Sequence, residues 1–111
     1  MTEYDTKSLP APDSWASFFS AVRERPSMWL YKPSPLDLHT FIRGMIFSTS
    51  VHKPSSSKCW EDFNFQEFES WVSKNFNSER MSVNSFHLAE HLSETGELGF
   101  KLWFKWYDQY N

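Results

Sequence analysis

Large apolar residues recur at helical spacing along most of this chain. Trp15, Phe18, Phe19 and Val22 stand at i, i+3, i+4 and i+7, which is one face of a helix. Asp13 or Ser14 can cap it, and Arg23, Glu24 and Arg25 form its polar end. Pro26 closes it, because a residue before proline is pushed out of the α region. Ser34-Pro35 restarts the chain with serine as N-cap and proline at the first helical position. Leu38, Phe41, Ile42, Met45 and Ile46 then form the buried stripe of a second helix, predicted over about Pro35 to Val51. Gly44 interrupts that helix at a cost of about 1 kcal/mol relative to alanine, which suggests that another backbone approaches there. Phe47 lies opposite the stripe. Between the two helices, Met28, Trp29, Leu30 and Tyr31 are too apolar for a free loop and read as a plug.

A polar, proline-containing connection follows from His52 to Lys58. A third helix is predicted from Trp60 or Asn64 to Phe76, with Phe65, Phe68, Val72 and Phe76 on its inner face and Trp71 on the flank. Gln66, Glu67, Ser70 and Lys74 face outward. After a second polar connection, Ser85 to Leu92 forms a short fourth helix with Leu88, Ala89 and Leu92 on one side. The last helix begins near Ser93-Glu94. Its apolar residues, from Leu98 to Tyr110, cover an arc of about 240°, against about 100° for an ordinary surface helix. That pattern predicts a helix at the centre of the fold, with part of its aromatic face meeting a partner as the alternative. A strand over Gly99–Tyr107 is the alternative, but no other run in the chain is a convincing partner for it.

These elements define an all-α, single-domain bundle of about five helices over residues 13–111, after a loose lead-in at 1–12. Trp15, Phe19, Leu38, Phe41, Ile42, Phe68, Val72 and Leu102 are its predicted core. Eleven phenylalanines and six tryptophans in 111 residues let a few helices close that core without disulfide or metal. Cys59 is the only cysteine, which excludes an intrachain disulfide and fits a reducing compartment. With no signal-like or membrane-spanning run, the chain reads as soluble and cytoplasmic. The net charge of −3 argues against nucleic acid as a direct partner and is compatible with a basic protein partner.

One short motif carries formal chemistry. His87-Leu-Ala-Glu-His91 matches H-x-x-E-H, in which two histidines one turn apart bind zinc and a glutamate acts as base. A small metal-dependent hydrolase built on His87, Glu90 and His91 is therefore one reading. The favoured reading of the motif is a solvated helix face, with no catalytic residue, metal or cofactor. His39 reads as a packed or surface histidine. Glu61, Asp62, Glu67 and Glu69 cluster beside Trp60 and Trp71 and form the candidate partner-binding face, with a plain solvated face as the bland alternative. Lys101 and Lys105 interleave with aromatics but are too few for single-strand nucleic-acid binding.

Arg25-Pro-Ser-Met-Trp-Leu30, then Ser34, Leu36, Leu38, Phe41 and Gly44, resembles a recurring opening of small bacterial proteins. Trp60, Phe63, Phe65 and Phe68, and the aromatic closing helix, look like the same group. Trp29 stands where tyrosine is more usual, and Ser27 where glycine is. Many such proteins look like immunity proteins of polymorphic-toxin or contact-dependent growth-inhibition systems. The resemblance implies a non-enzyme that binds the C-terminal domain of a cognate toxin, often a nuclease, in the cytoplasm. It would occlude the toxin's active site or substrate access. A regulatory domain with a different protein partner is the remaining class.

Overall fold

The computed structural model describes residues 12–52 and 61–110, the side chains of 48–52 excepted. The lead-in over residues 1–11, the polar connection over residues 53–58, Cys59 and Trp60 lie outside them. Every regular element among the described residues is a helix: α1 (Trp15–Glu24), α2 (Pro26–Trp29), α3 (Pro35–His52), α4 (Phe65–Phe76), α5 (Ser85–His91) and α6 (Gly96–Tyr110).

The all-α expectation holds, with six helices rather than five. The additional one is α2, the stretch read as a plug. Proline at N1 presets the helical φ and lacks an N–H at a place where none is needed. The Leu30 amide closes the turn on the Pro26 carbonyl at 2.8 Å. Leu30 is buried and Trp29 half-buried, while Met28 and Tyr31 face solvent.

Local chemistry explains the other starts. Ser14 caps α1 and shares a reciprocal capping box with Ser17. The Ser34 hydroxyl accepts from the Asp37 amide at 3.1 Å and starts α3. Asn64 accepts from the Glu67 amide at 3.0 Å and fixes the start of α4 at Phe65. Thr95 accepts from the Leu98 amide at 3.1 Å, so α6 begins at Gly96, slightly later than the sequence pattern suggests.

The last helix is central. α6 packs on α3, α4 and α5, and its Trp103, Phe104 and Tyr107 rings also meet Phe19 of α1. Trp103 is fully buried and touches the rings of Phe19, Phe68 and Phe86. Trp15, Phe19, Leu38, Ile42, Phe68 and Val72 are buried as expected. Phe41 and Leu102 are only half-buried. Phe41 stacks on Phe18 at 5.5 Å but lies at the margin of the cluster beside half-buried Trp29.

The close helix approach is not at Gly44. A Cβ there would meet no described atom within 4 Å. It occurs at Gly99, where a Cβ would lie 2.9 Å from the Pro35 ring and 3.2 Å from the Ala89 carbonyl oxygen. Gly96 sits one turn earlier against Ser34. A small-residue stripe on α6 thus seats the start of α3 and the backbone of α5. Gly99→Ala is expected to destabilise the fold by about 1–3 kcal/mol through overpacking. Gly44→Ala should stabilise it by about 0.5–1 kcal/mol, since an open helical glycine only adds backbone entropy to the unfolded state. Urea unfolding of the two variants checks both signs.

Candidate functional site

Two carboxylates of the predicted acidic face are hydrogen-bonded to helix starts. Asp62 turns to the N-terminus of α1, where its two oxygens accept from the Trp15 and Ala16 amides at 2.9 and 3.0 Å. With Ser14 taking the Ser17 amide, the first donors of α1 are satisfied. Glu69 turns to the N-terminus of α5. Its carboxylate accepts from the Ser85 amide at 2.7 Å and from the Ser85 hydroxyl at 2.6 Å. The Ser85 oxygen in turn accepts from the buried Trp103 indole N–H at 2.9 Å. Both carboxylates therefore satisfy helix starts and favourably oppose helix dipoles.

Glu61 and Glu67 remain exposed. Glu67 and Trp71 come together around Tyr110, a residue the sequence pattern assigned only to the last helix. The Tyr110 hydroxyl lies 3.5 Å from a Glu67 oxygen, and the Tyr110 and Trp71 rings are 5.4 Å apart. Phe76 abuts Trp71 at 5.5 Å. Trp71, Phe76 and Tyr110 are half-buried, so each combines anchoring contacts with some accessible surface. The α4–α6 face is thus an aromatic surface carrying a carboxylate. Trp60, the remaining residue of the predicted set, lies outside the described residues.

The H-x-x-E-H residues have separate neighbours. The His87 ring Nδ1 is 2.9 Å from Asn84 Oδ1, and the ring meets His39 of α3 edge-on at 5.9 Å. The Asn84 oxygen can only accept, so this contact calls for a proton on Nδ1. His91 Nε2 lies 3.5 Å from Glu79, in the turn before α5. Glu90 keeps one buried oxygen without a hydrogen-bond partner. Among the described residues, no group of three His, Cys, Asp or Glu side chains is placed to hold a metal ion.

His39 stacks on Phe86 at 4.6 Å. Burial lowers its pKa below the ordinary imidazole value, with His87 and Arg43 adding to the effect. The unfolded chain therefore takes up this proton at higher pH than the folded chain. The stability linked to His39 is present above about pH 6.5 and is lost as pH falls through the lower folded value.

Between α1 and α6, Arg23 forks Asp108 at 2.9 and 2.5 Å and lies 4.8 Å over the Phe104 ring. The hydrogen bonds hold the Asp108 pKa down and the Arg23 pKa up. Both side chains are well exposed, so the pair contributes no more than about 1 kcal/mol. It fixes the guanidinium in place. No helix among the described residues is long and apolar enough to cross a membrane.

Comparison with family models, curated proteins and solved structures gives no match.

Replacing Asp62 by alanine leaves two amides at the start of α1 without their acceptor. It is expected to cost about 0.5–2 kcal/mol, the range of a lost helix cap. Thermal or urea unfolding checks this; an unchanged midpoint would show that the carboxylate contributes nothing to the fold.

Proposed function

We propose that this chain is a protein-binding module acting in the cytoplasm, an immunity protein that neutralises the C-terminal domain of a cognate bacterial toxin. The structural observation that carries the reading is the α4–α6 face, where Glu67 borders the half-buried rings of Trp71 and Tyr110. Aromatic side chains partly held by their own fold lose little freedom on binding and make strong interface anchors. A carboxylate beside them meets Lys and Arg that would otherwise hold a nucleic-acid phosphate. The Arg25–Gly44 resemblance points to the same class. The partner in this reading is a nuclease domain whose substrate channel is basic, and Glu61 and Glu67 occupy the place of phosphates.

The disposition of the other carboxylates decides how to test it. Asp62 and Glu69 hold helix starts, so changing them would perturb the fold as well as any interface. Glu61 and Glu67 are exposed and suited to charge reversal. Glu61→Lys with Glu67→Lys is expected to slow association with the neighbouring toxin domain, most strongly at low salt. Trp71→Ala is expected to cost about 2 kcal/mol or more of affinity through faster dissociation. Binding kinetics at two salt concentrations, with circular dichroism of each free variant, provide the measurement. Unchanged rates in all variants would remove this face from the interface. Failure of the parent chain to bind that toxin would remove the immunity assignment itself.

A further inference from the structure

Away from the α4–α6 face, a half-open cleft of about 280 Å³ lies between the end of α1, the α2–α3 connection and α6. Pro26, Pro33, Phe100 and Phe104 supply its apolar lining. Proline rings have almost no side-chain freedom to lose on contact, so this wall is already shaped for a flat group. For scale, a cavity of about 150 Å³ accepts benzene, whereas drug-sized ligands occupy about 300–1,000 Å³. The cleft therefore suits one ring together with a compact polar head.

One cation of its charged lining is already held in place. Arg23 is held by Asp108 and by the Phe104 ring, and that fork leaves further guanidinium N–H groups available. Glu97 and Lys101 stand one turn apart on α6 in the order that favours a mutual ion pair. Among the described residues, neither side chain makes a hydrogen bond or an ion pair. The cleft thus presents one unpaired anion and one unpaired cation beside an apolar slot, with the Arg23–Asp108 pair behind.

We propose that this cleft binds a small zwitterion with an aromatic body, of which a free aromatic amino acid is the simplest form. The ring lies against Pro26, Pro33 and Phe100. The carboxylate meets Lys101 with Arg23 behind it, and the ammonium meets Glu97. An aromatic acid without an amine would be repelled by Glu97. An aromatic amine without a carboxylate would leave Lys101 without an anion. The zwitterion alone satisfies both signs. This site is separate from the α4–α6 face and independent of the toxin assignment.

The test is a two-dimensional NMR titration of the full chain with L-phenylalanine, phenylacetate and phenethylamine. Saturable shifts around Phe100 and Phe104 are expected, with phenylalanine binding about tenfold more tightly than either analogue, the scale of one charge-assisted hydrogen bond. Lys101→Met and Glu97→Gln should each weaken phenylalanine binding about tenfold. Both side chains are exposed, so circular dichroism should be unchanged. Absence of saturable shifts, equal binding of the three probes, or full affinity in either variant would overturn the assignment.

Discussion

The indole N–H of Trp103 sets the main constraint on this fold. Trp103 is wholly buried in an aromatic cluster that offers its nitrogen no acceptor of its own. A buried donor without a partner costs about 1–3 kcal/mol. Ser85 provides the acceptor, and Glu69 then accepts from both the hydroxyl and the amide of Ser85. One chain of hydrogen bonds thereby ties α6, α5 and α4 in a single register. Phe19 brings α1 onto the same indole at 5.4 Å. Gly99 lets the start of α3 and the backbone of α5 come close enough to α6 for this arrangement to close.

The use of Glu69 belongs to a wider pattern of carboxylates at helix starts. The helices α3, α4 and α6 carry their own acidic residue in the first turn: Asp37, Glu67 and Glu97. The helices α1 and α5 carry none. They receive one from elsewhere, Asp62 at α1 and Glu69 at α5. A helix start presents unpaired N–H groups and a positive dipole end, so a carboxylate there is favourable whichever part of the chain supplies it. Asp62 and Glu69 are tied to helix starts by hydrogen bonds, whereas Glu67, although in the first turn of α4, stands outward as Glu61 does.

Helix identity and most of the core were legible because the 3.6-residue period is written plainly in Trp15, Phe18, Phe19 and Val22 and in the α4 stripe. Ser34 was legible as a start, and Ser14 and Asn64 each as one of two candidates, because their side chains bond amides only a few residues away. Long-range placement was not. Asp62 reaches an amide 47 positions away and Glu69 one 16 positions away, contacts that their adjacency to other acids in sequence did not report. Gly44 drew attention by interrupting a stripe, while Gly99 carries the packing role. The spacing of Gly96 and Gly99 was the available clue. The pairing of Tyr110 with Glu67 and Trp71 depended on how α6 lies against α4, which no local pattern reports. Helical spacing placed His87 and His91 on one face, and their separate neighbours, His39 and Glu79, depend on the packing of other parts of the chain.

If the Trp103–Ser85–Glu69 chain organises the bundle, its members act as a unit. A double-mutant cycle of Ser85→Ala and Glu69→Ala, read by urea unfolding, tests this directly. The account predicts that either single change removes most of the stabilisation, leaving the double variant more stable than the sum of the two losses implies by about 0.5–3 kcal/mol. Losses that add to within about 0.3–0.5 kcal/mol would contradict it, and would reduce the three residues to neighbours without energetic coupling.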